Sequence, residues 1–166
     1  MKAVLQRVRS ASVAVGGEVV SRIGPGLLVL LGVAAGDGDA DVAWLARKIA
    51  GLRVFADGAG RMNRSVVEAA GSLLVVSQFT LLGDCRAGRR PGFSGAAPPE
   101  EGRRLYEAFL AAAAAAGVPV RAGAFGAEML VSLENDGPVT FTGHSPRIDA
   151  WISVVFSNQG VATRGI

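Results

Sequence analysis

The chain has 166 residues, of which half are apolar and 19% are charged. This length and composition favour a single globular domain and exclude a disordered chain. The apolar runs end at Gly or Arg well before the ~18 residues that a membrane span needs, and no secretory signal is visible. We therefore expect a cytoplasmic protein without a membrane anchor.

The rarest residue types narrow the chemistry. There is one cysteine, Cys85, and one histidine, His144, so neither an internal disulfide nor a Cys/His metal centre can form. An enzyme built from this chain is expected to need no metal, no cofactor and no histidine base. The net charge of +3 is too small to indicate a nucleic-acid ligand by itself.

The hydrophobic pattern predicts many strands and two helices. Strands are expected at residues 2–8, 11–15, 18–23, 27–33, 52–55, 72–76, 118–121, 128–133 and 139–142. Helices are expected at residues 40–49 and 100–116, the second with a poorly capped start after two prolines. Hairpin signals dominate the first third of the chain. The sequence therefore predicts an α/β fold, a compact single domain of mixed, mainly antiparallel β-sheet with two main helices.

The end of the chain differs from the rest. Residues 1–142 hold all of these elements, whereas residues 143–166 are more polar and contain one apolar stretch, residues 151–156. That stretch is either an extra strand or part of an ill-ordered tail. We treat residues 143–166 as a divergent C-terminal extension of unknown role.

Two segments break the local pattern in ways that suggest a site. Ser77, Gln78, Phe79 and Thr80 follow a buried apolar strand, which places hydroxyls, an amide and backbone N–H groups at a strand end. The alternative is that these hydroxyls merely terminate the strand. The second segment is residues 135–140, NDGPVT, in which a Gly–Pro pair allows an unusual backbone. Its alternative is an ordinary hairpin turn.

Together these two segments resemble the signature motifs of the D-aminoacyl-tRNA deacylase family. The resemblance extends over nearly all of residues 1–141, in order and without large gaps. It is carried by AVLQRVRSASVAV (3–15), GPGLLVLLGV (24–33), RVFADGAGRMN (53–63), GSLLVVSQFTL (71–81), RRPGFS (89–94) and GAFGAEMLVSLENDGPVTF (123–141). Members of the family usually end soon after the NDGPVT strand, so nothing is transferred to the extension.

The resemblance implies a cytoplasmic homodimer that hydrolyses D-aminoacyl-tRNA and glycyl-tRNA and spares L-aminoacyl-tRNA, without a metal. It implies that Ser77–Thr80 form the floor of the site and that Gly137 and Pro138 form a Gly–cisPro motif reaching into the partner's site. Arg7 and Asn135 are then expected to support that motif.

The residues also bear on the mechanism that the resemblance implies. A nucleophilic Thr80 would need a side-chain base, which the body of the chain lacks. We expect backbone N–H groups of Gln78, Phe79 or Thr80 to stabilise the oxyanion instead. The resemblance also implies a role for the 2′-hydroxyl of the tRNA itself.

Arginines after the first motif are candidates for contact with tRNA. Arg86, Arg89 and Arg90 lie in the long loop that follows it, and Arg103 and Arg104 follow on the second helix. These arginines either bind phosphates of the tRNA or form a solvated surface with no ligand. Two other classes remain: a general esterase, which the missing base disfavours, and a non-catalytic RNA-binding module, which the low aromatic content of 6% disfavours.

Overall fold

The computed structural model describes residues 1–86, 88–146 and 153–155. Its strands are β1 (Lys2–Val15), β2 (Glu18–Ile23), β3 (Gly26–Gly32), β4 (Phe55–Ala56), β5 (Met62–Arg64), β6 (Ser72–Ser77), β7 (Val120–Ala122), β8 (Leu130–His144) and β9 (Ser153–Val155). Its helices are α1 (Asp39–Ala50), α2 (Pro99–Ala115) and a short 3-10 helix (Phe79–Leu82). Among the residues described, no helix is long and apolar enough to cross a membrane.

The strands form one large mixed sheet. Its order is β7-β6-β3-β1-β8-β9, with β2 also paired to β1, while β4 and β5 form a separate two-stranded ribbon. The pairs β3–β6 and β6–β7 are parallel, and the remaining pairs are antiparallel. The predicted fold class, a mixed and mainly antiparallel sheet with two main helices, is confirmed.

The central strand β3 is covered on both faces, which explains its continuous apolar sequence. Its odd-numbered residues Leu27, Val29 and Leu31 face the core on which α1 and α2 pack. Leu28 belongs to a second cluster on the opposite face, together with Leu74 of β6. A strand buried on both faces has no reason to alternate apolar and polar residues.

The first strand is one element where the sequence predicted two. Ala3 and Leu5 lie in the helix-side core, whereas Ala11 and Val13 lie in the opposite cluster. Strict alternation would put all four on one face. The register against β8 shifts on either side of Val8, so β1 changes face there without ending. The polar gap between the two predicted strands is therefore a bulge inside a single strand.

The predicted strands 128–133 and 139–142 are also one element. Asn135 of β8 lies opposite Val8 and Thr140 lies opposite Gln6, so residues 136–139 form an excursion from the ladder. Gly137 and Pro138 therefore do not form an ordinary hairpin turn between two strands, because β1 continues past the excursion and pairs with β8 on both sides of it. β9 pairs with the last part of β8, at Thr140–Thr142. Trp151, Ile152 and Phe156 of the predicted apolar stretch lie outside the described residues.

Two local expectations have different outcomes. The strand expected at 52–55 was wrong, because Leu52 and Val54 donate turn hydrogen bonds, to Ile49 O and Leu52 O, and pairing begins only at Phe55. The poorly capped start of α2 is confirmed: Pro98 occupies the cap position without a side-chain hydrogen bond, and Pro99 begins the helix.

Candidate active site

The first predicted motif forms a turn at the end of β6. Ser77 is the last residue of the strand, and the N–H of Gln78 donates to Leu31 O at 2.7 Å, which continues the ladder by one bond. The chain then enters the 3-10 helix. Gly32 permits this close approach, since a Cβ there would lie 2.9 Å from Gln78 O and 2.5 Å from Leu82 Cδ2.

Two backbone donors of this turn have no partner. The N–H groups of Phe79 and Thr80, at the start of the 3-10 helix, donate to no acceptor in the described part of the chain. Of the three N–H groups that the sequence offered as alternatives, that of Gln78 is already used by the sheet, which leaves those of Phe79 and Thr80. Two adjacent unpaired N–H groups are suited to binding an oxyanion.

The side chains of the turn are arranged around Gln78. Its Nε2 donates to the Thr80 hydroxyl. Thr80 is exposed, and it does not line the cavity that opens beside this turn. Its hydroxyl is therefore held by an amide, which has no basicity to activate it as a nucleophile.

A cavity of about 490 Å³ opens beside this turn. It lies between the end of β6, the start of α2 and residues 125–131. Its lining is mostly apolar and consists of Leu31, Val33, Val76, Ser77, Gln78, Phe79, Ala96, Ala97, Pro99, Gly102, Tyr106, Phe125, Gly126, Ala127, Met129 and Val131. Cavities of this size and character commonly bind small molecules.

The lining offers no side-chain base. Its polar side chains are those of Ser77, Gln78 and Tyr106. The Tyr106 hydroxyl donates to Val75 O at 2.8 Å, and burial raises the pKa of Tyr106 to about 12. Tyr106 therefore remains protonated at neutral pH. The chemistry available to this cavity is hydrogen bonding by backbone and neutral side chains.

The wall of the cavity contains Phe125, a residue that the sequence analysis did not single out. Phe125 packs against Tyr106, with ring centroids 5.5 Å apart, and the Arg103 guanidinium lies 4.7 Å from the Phe125 centroid. Arg104 forms ion pairs with Glu101 and with Asp39, and so links α2 to α1. The structure thus gives Arg103 and Arg104 packing partners within the fold. No local pattern in the sequence marks Phe125, since it follows a short strand as an isolated aromatic residue.

The second predicted motif is the excursion of β8. Gly137 and Pro138 are exposed at its tip, the peptide bond between them is cis as the resemblance implied, and Gly137 has φ +124°. Asn135 anchors the base of the excursion, where its Nδ2 donates to Arg7 O at 2.8 Å and to Val139 O at 3.2 Å.

Arg7 supports the excursion from below. Its side chain is only 14% exposed, and its Nε lies 3.0 Å from Asp136 Oδ2. Its Nη1 donates to Val54 O, which ties the guanidinium to the chain after α1. A Cβ at Gly137 would lie 2.9 Å from Arg7 Nη2, so the guanidinium leaves no room for a side chain there. The exposed tip is thus supported by a partly buried ion pair.

The structure does not bring the two motifs together within one chain. Gly137 and Pro138 are absent from the lining of the cavity that contains Ser77, Gln78 and Phe79. The excursion projects its tip outwards, while its supports Arg7 and Asn135 lie behind it. Within one chain, the tip of the excursion is therefore not part of the cavity wall beside Ser77, Gln78 and Phe79.

The loop after the turn carries the remaining candidate arginines. Arg86 is bound to Asp84 through two hydrogen bonds, of 2.9 and 2.7 Å, and these hold the pKa of the Asp84 carboxyl well below its usual range. Arg89 and Arg90 are exposed and form no ion pair with any residue that the structure describes. Of the three, Arg89 and Arg90 are the free positive charges.

Comparison with known proteins identifies the class. A family model described as D-Tyr-tRNA(Tyr) deacylase matches residues 4–144. The D-aminoacyl-tRNA deacylase of Pelobacter propionicus is 62% identical over 141 residues, 85% of this chain and 97% of that protein. That of Ruegeria pomeroyi is 62% identical over 140 residues, 84% of this chain and 97% of that protein.

Solved structures share the fold. A structure titled c-Myc DNA Unwinding Element Binding Protein is similar with a TM-score of 0.82 and 43% identity, over 88% of this chain and 99% of that one. A structure of a probable eukaryotic D-amino acid tRNA deacylase has a TM-score of 0.71 over 85% of this chain and 97% of that one; at 20% identity it supports the fold alone. The protein is a hydrolase. The chain belongs to the D-aminoacyl-tRNA deacylase family.

Proposed function

We propose that this protein hydrolyses the ester bond of D-aminoacyl-tRNA and of glycyl-tRNA, releasing the free amino acid and tRNA, and leaves L-aminoacyl-tRNA intact. This activity is a chiral proofreading step of translation in the cytoplasm. One observation carries the proposal: a largely apolar cavity beside two unpaired backbone N–H groups, with no side-chain base in its lining.

The cavity suits the terminal nucleoside of the substrate. Its volume of about 490 Å³ lies within the usual range for small-molecule sites, and its apolar wall suits a nucleobase. The aminoacyl ester then lies at the 3-10 helix, where the N–H groups of Phe79 and Thr80 have no acceptor among the residues that the structure describes. The tRNA beyond the terminal nucleoside remains outside the cavity.

The reaction needs little from the protein's side chains. An aminoacyl ester is already an activated acyl group, so the barrier lies in the charge that develops on the carbonyl oxygen. Each well-placed N–H donor lowers such a barrier by ~3 kcal/mol. Water adds to the carbonyl carbon, the ester C–O bond breaks, and the ribose oxygen leaves with a proton. The adjacent 2′-hydroxyl of the substrate orients the water or relays that proton.

Chirality is read by a wall that a second copy supplies. In a two-fold homodimer, the exposed tip of one protomer would enter the cavity of the other, and the reciprocal contact would complete the second site. With the amine and carbonyl held, a D side chain points to open space and an L side chain points into Gly137 and Pro138. Glycine has no side chain to clash and is accepted. Arg7 and Asn135 keep the wall rigid, which exclusion by steric clash requires.

The free arginines have a role outside the cavity. Arg89 and Arg90 carry charges with no protein partner among the described residues, and we propose that they bind phosphates near the acceptor end. Arg86 contributes less, because Asp84 already binds it through two hydrogen bonds. Its principal effect is to order the loop.

A deacylation assay on D-, L- and glycyl-tRNA tests the proposal. We expect the D-aminoacyl and glycyl esters to be hydrolysed, with the L-aminoacyl ester at its spontaneous rate. Comparable turnover of D and L esters would contradict the chiral wall. A general esterase would hydrolyse simple acyl esters equally well, and a non-catalytic RNA-binding module would bind the tRNA without hydrolysis.

Substitution of Thr80 separates backbone from side-chain catalysis. We expect Thr80→Ala to retain kcat within about threefold of the parent, because the backbone donors survive and removal of a true nucleophile costs several orders of magnitude. Single-turnover deacylation of D-aminoacyl-tRNA measures it. An inactive but folded Thr80→Ala variant, with an acyl adduct on Thr80 of the parent found by mass spectrometry, would establish covalent catalysis instead.

A further inference from the structure

Two phenylalanines form an exposed pair, of which one, Phe79, lines the cavity. The rings of Phe79 and Phe93 meet edge to face, with centroids 5.0 Å apart. Phe79 is 58% exposed and Phe93 is 36% exposed, although apolar rings of this size are ordinarily buried. Their separation in the sequence hides the pair, and the low aromatic content of the whole chain gives no hint of it.

The backbone around the pair fixes its position. The Phe93 ring packs on Gly83, where a Cβ would lie 3.1 Å from Phe93 Cε1. Asp84 and Gly92 exchange two backbone hydrogen bonds of 2.8 Å each, which close the loop immediately before Phe93. The loop that carries Phe93 and the turn that carries Phe79 are therefore held in place by backbone contacts.

The surroundings of the pair match one kind of ligand. Arg89 and Arg90 lie in the same closed loop as unpaired charges in the described part of the chain. Aromatic faces beside free arginines are typical of surfaces that bind single-stranded nucleic acid, in which bases stack on the rings and phosphates meet the guanidinium groups. The rings of an edge-to-face pair also leave ring faces open for a base.

The pair is continuous with the cavity, because Phe79 belongs to both. We propose that Phe79 and Phe93 bind the penultimate nucleotide of the substrate's single-stranded 3′ end by stacking, while the terminal nucleoside occupies the cavity. The inference rests on the proposed function and extends it from the ester to the nucleotide that precedes it. It assigns Phe93 as a residue that binds the nucleotide preceding the one that carries the ester.

Two substrates of different length test this assignment. One is D-aminoacyl-adenosine, which lacks a penultimate nucleotide, and the other is a D-aminoacylated minihelix with a single-stranded CCA end. We expect Phe93→Leu to lower kcat/KM for the minihelix, relative to that for D-aminoacyl-adenosine, by about tenfold, mainly through KM. Phe93→Tyr keeps the ring and should restore the parent ratio. Phe55→Leu, which removes a ring far along the chain from the loop, is the matched control.

Two results would overturn the assignment. An equal loss on both substrates would make Phe93 a structural support of the cavity, and an unchanged ratio would leave the pair no role with this nucleotide. Binding of an uncharged minihelix, measured by fluorescence anisotropy, provides a readout that does not require hydrolysis. We expect Phe93→Leu to weaken that binding about tenfold and Phe93→Tyr to preserve it. If the parent bound the minihelix through Phe93 but hydrolysed neither ester, the proposed function would fail while the stacking site stood.

Discussion

Replacing Gly137 by alanine is expected to lower kcat/KM for D-aminoacyl-tRNA by about 100-fold, the usual cost of displacing a positioning group by ~1 Å. The added Cβ would lie 2.6 Å from Val139 Cγ2 and 2.9 Å from Arg7 Nη2. Gly137 also has φ +124°, a backbone region that L side chains rarely adopt. The excursion must therefore shift, and the Arg7–Asp136 ion pair that supports it must shift with it.

The same displacement should narrow the preference for D over L esters, because the wall that excludes the L side chain has moved. Single-turnover assays on both esters measure this. Gly117→Ala is the matched control: Gly117 has φ +87° but open space around its Cβ position. It should lose ~1–2 kcal/mol of stability from the backbone alone and keep the parent's activity and selectivity. Equal kinetics for the two variants would mean that the excursion takes no part in the reaction.

The fold could be predicted from the sequence to the extent that it depends on local patterns. The apolar run of β3 and the alternation in the first hairpin indicated their strands because burial sets those patterns directly. The strand errors in β1 and in β8 arose where a strand continues through a bulge. A bulge is stabilised by the neighbouring strand, here β1 against β8, and that partnership is not visible in either segment alone.

The candidate site likewise contains residues that local sequence patterns indicated and residues that only tertiary packing brings to the site. Ser77–Thr80 and Gly137–Pro138 stood out because polar residues or Gly–Pro interrupted an apolar pattern. Phe125 and Phe93 did not, since a single aromatic residue in a loop carries no periodic signal. Their place in the site comes from tertiary packing, against Tyr106 and against Phe79 respectively. The use of Gln78 N–H by Leu31 likewise depends on pairing between β3 and β6, which are distant in sequence.

Mixed dimers should reveal whether the two motifs act across subunits. Gly137→Ala impairs the wall of a chain and leaves its cavity intact. Ala127→Trp places an indole in the cavity of a chain, since Ala127 lines it, and leaves the wall intact. In a mixed dimer, the Gly137→Ala chain supplies an intact cavity, and the Ala127→Trp chain supplies the intact wall that completes it. The other site carries both defects.

We therefore expect a mixed dimer to have about half the activity of the parent dimer, because one of its two symmetric sites is complete. Each variant alone should be nearly inactive. The two chains would be co-expressed with different affinity tags and purified through both, and native mass spectrometry would verify the dimer. If the parent protein were monomeric, or if mixed dimers were as inactive as the single variants, the wall would not act across subunits. Recovery to half requires that Gly137 and Pro138 of one protomer complete the cavity of its partner, because in a chain acting alone every site would retain its own defect.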